Sequence, residues 1–361
     1  MNKEDDKLKL GHLGYDEFFE AARAKRGWGN FGVARVAVEY KELYRVKNQN
    51  GEFLAKITGK QMFGAASRED YPAVGDWVAV TELNDDQAVI AGVLPRKTMI
   101  KRKASAKFEI QIIAANIDTA FVVQAADADY SLNRFERYFA ISRDGGVMPA
   151  VILNKIDLIA KDELEAMVGQ IKDRFGDIDI IAASTVTDAG MDELKKYIVA
   201  GRTYCFLGSS GVGKSTLINK LIGKELIKTG NIDERTDRGK HTTTSREMYF
   251  LENGGIVIDN PGMREVGMAD TGAGIDDIFG QIKELAKGCK YRDCTHSQEP
   301  GCKVLAAIET GELDQEKYNN YLGLKKESEY YQMTDVQKRE KDRQFGKFIK
   351  RTLDQLKKNE Y

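Results

Sequence analysis

The run Gly208-Ser209-Ser210-Gly211-Val212-Gly213-Lys214-Ser215 fits G-x-x-x-x-G-K-[ST], a spacing whose chemistry is phosphate binding. Its glycines let the backbone curl, so that N–H groups and the start of a helix meet negative charge. Lys214 is placed to reach the β- and γ-phosphates. The Ser215 hydroxyl is placed to hold Mg²⁺, with Thr216 beside it as a further nucleotide-binding position. Asn154-Lys155-Ile156-Asp157 offers a different chemistry. The Asp157 carboxylate can accept hydrogen bonds from the ring N–H and the exocyclic amine of guanine, a donor pair that adenine lacks. Asn154 ties this loop to the base or to the phosphate loop, and the stem of Lys155 covers the face of the base. Ser184-Thr185, at the end of the next strand, supplies the backbone contact to the guanine oxygen, with Ser184 taken as the site residue. Asp259-Asn260-Pro261-Gly262 has the D-x-x-G pattern, in which the Asp holds Mg²⁺ through water and the Gly backbone senses the γ-phosphate.

A second constellation lies further on. Cys289, Cys294, His296 and Cys302 bring three thiols and an imidazole within 14 residues. Four soft or borderline ligands with no open position describe a closed tetrahedral Zn²⁺ site that is structural rather than catalytic. Cys205 sits in an apolar stretch and reads as a core residue, and His12 reads as surface.

The elements around these residues predict a multidomain α/β protein. Residues 1–30 form a polar, helical leader. Between 31 and 95, VARVAVEY, LYRVKN, FLAKITG, DWVAVTEL and QAVIAGVL read as five short strands, which close most simply as a small OB-like β-barrel. Strand count alone does not separate that barrel from an SH3-like one. From 108 to 270 strands and helices alternate, as in a mostly parallel sheet covered on both faces. Here TAFVVQA and VMPAVIL are strands, YCFLG is the strand before the phosphate loop and KSTLINKLIG the helix after it. TTSREMYFL and GIVIDNPG pair across a turn at Glu252-Asn253-Gly254-Gly255. Residues 276–361 are helical, interrupted by the Cys/His cluster.

The 361 residues carry a net charge of −1, which hides a basic stretch, residues 96–107, with Arg96, Lys97, Lys101, Arg102, Lys103 and Lys107 and no acid. With Arg23, Lys25, Arg26, Trp28 and Phe31, it flanks the barrel with groups suited to phosphates and unpaired bases. The N-terminal residues lack the apolar core of a signal peptide, and no stretch approaches the ~20 apolar residues that cross a bilayer. The expected setting is the cytoplasm, with no membrane partner.

The motifs run in the order NKID, Ser184, phosphate loop, His241-Thr242-Thr243-Thr244, DNPG. An ordinary small GTPase starts at the phosphate loop and ends at NKxD, so this order is a circular permutation that keeps the same spatial neighbours. With a barrel before and a Cys/His cluster after, residues 30 to 310 resemble the RsgA (YjeQ) family of small-ribosomal-subunit biogenesis GTPases. GKHTTT, DNPGMRE and CKYRDCTHSQEPGC carry that resemblance. It implies hydrolysis of GTP to GDP in late small-subunit maturation, stimulated by the small subunit and its rRNA, in a monomer holding GTP or GDP, Mg²⁺ and one Zn²⁺. Lys214, His241 and Asp259 would be catalytic, and Thr243 and Gly262 would contact the nucleotide. Met263 stands where many GTPases carry a water-orienting Gln, so the resemblance points to His241 for that task. DNPG replaces the family's more usual DTPG, and AST stands where Ser-Ala is expected. A GTP-regulated module acting on mRNA or DNA is the alternative reading. A P-loop kinase is disfavoured because NKID selects guanine.

Overall fold

The structure is a computed structural model that describes residues 10–40, 43–59, 64–65, 67–103, 110–127, 130–227, 246–259 and 271–359. It divides into two compact units, Met1–Gly267 and Met268–Tyr361.

In the first unit, β1 (Gly32–Glu39), β2 (Tyr44–Lys47), β3 (Glu52–Ile57), β4 (Trp77–Glu82) and β5 (Gln87–Val93) have the β-branched, alternating character that suits a pleated surface buried on one face. They pair in the order β1-β2-β3-β5-β4, and β4 closes back on β1. Every pairing is antiparallel except β3 with β5, which is parallel. The β1–β4 pairing closes the five strands into a barrel, and the one parallel pair gives it the OB-like order that strand count could not decide. Ala34, Val36, Val46, Phe53, Val78 and Ile90 fill its interior.

The leader packs against the barrel. Asp16 caps helix α1 (Glu17–Lys25) by accepting from the Phe18 N–H. Leu10, Leu13, Tyr15 and Phe19 are buried with Val33, Trp77 and Leu94. At the centre lies Arg35, on β1 and 1% exposed. It donates to the carbonyls of Leu13 (2.5 Å), Gly75 (3.2 Å) and Asn116 (3.0 Å) and to the Thr203 hydroxyl (2.8 Å). Burial lowers its pKa to about 10, still charged at neutral pH. Truncating it would leave four acceptors without their donor. Arg35→Ala is therefore expected to destabilise the first unit by about 3–4 kcal/mol in urea unfolding, with nucleotide binding retained at low temperature.

A hairpin follows the barrel, β6 (Met99–Lys103) with β7 (Ile110–Ala115), so part of the basic stretch is strand. Its charge is partly spent inside the molecule. Arg96 grips the fully buried Asp76 carboxylate through both oxygens at 2.7 Å and donates to the carbonyls of Glu69 and Tyr71. Lys97 pairs with Asp16, and Lys101 with Glu69 at 3.4 Å. Arg102 meets only the neutral Gln111 amide among the described contacts. The leader's groups are committed too. Arg23 donates to the carbonyls of Trp28, Gly29 and Phe31, and Arg26 lies 4.9 Å over the Trp28 ring.

The barrel's sheet continues through β1 into a further six strands, β8 (Thr119–Ala125), β9 (Met148–Asn154), β10 (Ile180–Ala183), β11 (Thr203–Leu207), β12 (Glu247–Phe250) and β13 (Ile256–Asp259). Their order is β10-β9-β8-β11-β13-β12, parallel except for the β12–β13 hairpin. Helices α2 (Leu132–Asp144), α3 (Lys161–Phe175), α4 (Met191–Tyr197) and α5 (Lys214–Ile222) connect these strands. β8 and β11 are near-continuous apolar runs because both of their faces are covered. β12 also touches the barrel, with Val38 of β1 opposite Glu247.

The second unit holds α6 (Gly272–Ile278), α7 (Gly280–Ala286), α8 (Lys303–Glu309), α9 (Gln315–Gln332) and α10 (Asp335–Asn359). The Cys/His loop runs between α7 and α8. No helix among the described residues is long and apolar enough to cross a membrane.

Candidate active site and metal centre

In a parallel sheet the strand carboxyl ends share one edge, and ligands bind there. Five strands of this sheet place site residues on that edge. Asp127 follows β8, Asn154 ends β9, Ser184 follows β10, Gly208 follows β11, and Asp259 ends β13.

The phosphate loop is fitted to its neighbours on both flanks. At Gly208, with φ +143°, a Cβ would lie 2.2 Å from the Val123 carbonyl oxygen on β8. At Gly213, with φ +96°, it would lie 2.2 Å from Asn154 Nδ2. Both positions thus require glycine for space as well as for backbone conformation. Between them Ser210 and Gly211 are exposed and a Cβ at Gly211 would meet nothing within 4 Å, while the Val212 side chain is buried. Lys214 opens α5, and its Nζ donates to the carbonyls of Gly208 (2.8 Å) and Ser209 (2.5 Å), so the ammonium lies across the loop. Ser215 and Thr216 follow in the first turn. β13 lies beside β11, which brings the end that carries Asp259 next to the start of α5. A serine hydroxyl and a carboxylate are the oxygen donors that a hard cation such as Mg²⁺ takes.

The base-recognition residues converge in the same way. Asn154 is 1% exposed, and its Nδ2 donates to the Val212 carbonyl at 2.8 Å. Of the two ties open to Asn154, the structure makes the one to the phosphate loop. Its Oδ1 is buried with no hydrogen-bond partner among the described residues. Such an atom costs about 1–3 kcal/mol and calls for an explanation, which a nucleotide edge would supply. Lys155 adopts the left-handed conformation (φ +62°), and its Nζ lies 3.4 Å from Asp127 Oδ2. Asp157 Oδ1 accepts from the Ser184 hydroxyl at 2.5 Å, and Ser184 Oγ accepts in turn from the N–H groups of Val186 and Thr187. Ser184 is fully buried and holds the base-reading carboxylate in place. Asp127 is a candidate that the motifs do not single out, placed here by its ion pair with Lys155. Its signal was an acid just past a strand carboxyl end. His241, Thr243, Gly262 and Met263 lie outside the described residues.

In the second unit the donor atoms of Cys289, Cys294, His296 and Cys302 all lie within 4.8 Å of one another. A tetrahedral Zn²⁺ at ~2.3 Å from sulfur and ~2.05 Å from nitrogen sets S–S at about 3.8 Å and S–N at about 3.6 Å. The observed separations are 3.9 Å for Cys289–Cys302 and 3.6 and 3.5 Å from Cys289 and Cys302 to His296 Nδ1. The spacing fits zinc. Burial pushes the Cys289 thiol up, yet the N–H groups of Lys303 and Val304 and the neighbouring thiols outweigh it and hold its pKa below the ordinary value. His296 has φ +61°, and its carbonyl accepts from the Tyr318 hydroxyl at 2.5 Å. Glu299 gathers the N–H groups of Thr295, Ser297 and Gln298, which ties the loop between the ligands.

A phosphate loop on the central strand, base-reading residues that precede it in the chain, and an Asp-bearing strand beside it define a circularly permuted P-loop GTPase. The comparisons with known proteins narrow this further. A profile of the RsgA GTPase family matches residues 93–269. A profile of the ABC transporter family matches residues 191–348, a span that holds the same phosphate loop. The small ribosomal subunit biogenesis GTPase RsgA 2 of Listeria monocytogenes is 40% identical over 324 residues, covering 90% of this chain and 90% of its own. The protein of the same name from Lactiplantibacillus plantarum is 40% identical over 300 residues, covering 82% and 84%. The crystal structure of YjeQ from Thermotoga maritima aligns with a TM-score of 0.59 at 26% identity, covering 82% of this chain and 98% of that one. YloQ, described as a circularly permuted GTPase, shares the fold with a TM-score of 0.57 at 21% identity, covering 84% and 97%. The chain belongs to the RsgA GTPase family and is a GTP-hydrolysing enzyme.

Proposed function

We propose that this GTPase acts in late maturation of the small ribosomal subunit, in the cytoplasm and as a monomer, and that the subunit with its rRNA stimulates its hydrolysis of GTP. The observation that carries this reading is the two-way 90% coverage of a relative named for small-subunit biogenesis, which takes in barrel, nucleotide site and Cys/His loop together. The organisation follows the sequence: a leader over 1–30, a barrel over 31–95, a GTPase domain over 108–270 and a zinc-binding domain over 276–361. Asn154, Lys155, Asp157 and Ser184 read the base, while Gly208 to Thr216, with Thr243 and Gly262, bind the phosphates. Ser215 and Asp259 hold Mg²⁺, Lys214 and Asp259 serve the reaction, and His241 orients the attacking water. One Zn²⁺ per chain is held by Cys289, Cys294, His296 and Cys302, as their spacing and donor chemistry support.

The test is GTP turnover with and without purified small subunits, beside co-sedimentation with small subunits, large subunits and duplex DNA in the GDP form and with a non-hydrolysable GTP analogue. Turnover is expected to be slow alone and to rise about 10²-fold or more with small subunits, because a partner completes the water-orienting geometry that Met263 cannot supply. His241→Ala should retain nucleotide affinity and lose most of that rise. Binding should be tightest in the GTP form and weaken with salt. Equal binding to DNA, or no difference between nucleotide states, would favour the module acting on mRNA or DNA.

A further inference from the structure

Strand β12 is four residues long and lies between β13, which carries Asp259, and β1 of the barrel. Among the described residues its backbone tie to β1 is one bridge, Val38 opposite Glu247. β12 is paired along its whole length with β13, so a shift of β12 against the barrel would be passed to its hairpin partner. Side chains reinforce the join. Arg246, which immediately precedes β12, reaches Glu39 Oε2 at the end of β1 at 3.2 Å and the Ile112 carbonyl on β7 at 3.4 Å. The pair is largely shielded, with side chains 11% and 25% exposed, so water screens it little.

On the other side of β12, Glu247 stands directly opposite Asp259. Directly opposed positions share a face of the sheet at about 4.5–5.5 Å between Cβ atoms, and like charges there repel. Glu247 is drawn away from Asp259 by two partners. Its Oε1 lies 3.5 Å from Arg45 on β2, and its Oε2 accepts from the Tyr249 hydroxyl at 3.2 Å. The barrel therefore contributes Glu39 and Arg45 to a hairpin whose far end carries the Asp of D-x-x-G.

We propose that Arg246, held by Glu39, is a positioning residue for GTP hydrolysis: it pins β12 to the barrel and so fixes where Asp259 stands toward the nucleotide's Mg²⁺. It acts through the β12–β13 register and touches neither substrate nor metal. Loss of the clamp lets β12 and β13 shift together, which loosens the carboxylate's hold on the ion's water shell and leaves the phosphate loop and the base site as they are.

The measurement is the affinity for a fluorescent non-hydrolysable GTP analogue across an Mg²⁺ titration and in EDTA, beside the Mg²⁺ dependence of turnover. Arg246→Ala and Glu39→Gln should each raise the Mg²⁺ midpoint of both curves by about five- to tenfold, with affinity in EDTA unchanged. Arg246→Lys keeps the charge that faces Glu39 and should recover most of the shift. Thermal unfolding of each variant gives the purely structural contribution. The proposal rests on the assignment of Asp259 to Mg²⁺, which Asp259→Asn tests separately by raising the same midpoints. Unchanged midpoints in Glu39→Gln where Asp259→Asn shifts them would overturn the clamp alone, and unchanged midpoints in both would overturn the assignment with it. Glu39→Gln keeps its shape, so it and Arg246→Lys decide the matter even if Arg246→Ala does not fold.

Discussion

Asp157→Asn is expected to convert the site from guanine to xanthine nucleotides, with GTP affinity falling by about 2–4 kcal/mol, or roughly 30- to 1,000-fold. The carboxylate is the acceptor that a guanine ring N–H and amine require, and an amide presents a donor where the amine points. Xanthine carries a carbonyl at that position, which the new amide can meet. The Ser184 hydroxyl at 2.5 Å makes the effect large, because it fixes the group and leaves it little freedom to turn away. Ser184→Ala should cost about tenfold in GTP affinity with no gain for xanthine nucleotides, since it frees the carboxylate without changing its chemistry. Titration with GDP, XDP and ADP reads all three cases. Equal affinity of the wild-type protein for ATP and GTP would sink the assignment of Asp157.

Removing the metal should have the second large effect. Structural zinc sites contribute on the order of 10–16 kcal/mol to folding, far more than the Tyr318 and Glu299 hydrogen bonds that also tie the loop between α7 and α8, at about 1 kcal/mol each. Elemental analysis of protein purified without added metal is expected to find about one equivalent of zinc. Strong chelation, or Cys302→Ser, should unfold the second unit while nucleotide affinity persists, because the nucleotide site lies wholly within the first. Circular dichroism and limited proteolysis follow the loss, and nucleotide titration follows what remains. Absence of zinc, together with free reactivity of Cys289, Cys294 and Cys302 in the folded protein, would refute the site.

The contrast between these sites and the rest of the chain shows what local sequence encodes. The phosphate loop, NKID and the Cys/His spacing were legible because each needs particular side chains at fixed offsets. The circular permutation was legible from their order alone. The barrel's strands could be counted, but their order rests on β3 pairing in parallel with β5, a contact across a whole intervening strand. The leader's Leu10, Leu13, Tyr15 and Phe19 are too widely spaced among charges to reveal that they share a core with Trp77. Arg96 read as one of a basic stretch suited to phosphates. Its partner Asp76 is 20 residues away, and only the fold brings the two together. Ser184, read as a source of backbone contact, also supports Asp157 through its side chain, and a motif match does not show which atom of a residue is used.

Arg35 carries a consequence for how the chain is made. Two of its acceptors, on Leu13 and Gly75, are synthesised close to it, but the Thr203 hydroxyl comes 168 residues later. At about 5–20 residues per second, that residue follows roughly ten to thirty seconds after Arg35 itself. During this interval the nascent barrel carries a guanidinium whose final partner does not yet exist, at the place where β11 will dock. Vectorial synthesis therefore leaves the barrel incomplete at Arg35 until the strand leading into the phosphate loop arrives, which links completion of this part of the N-terminal half to the emergence of the nucleotide site.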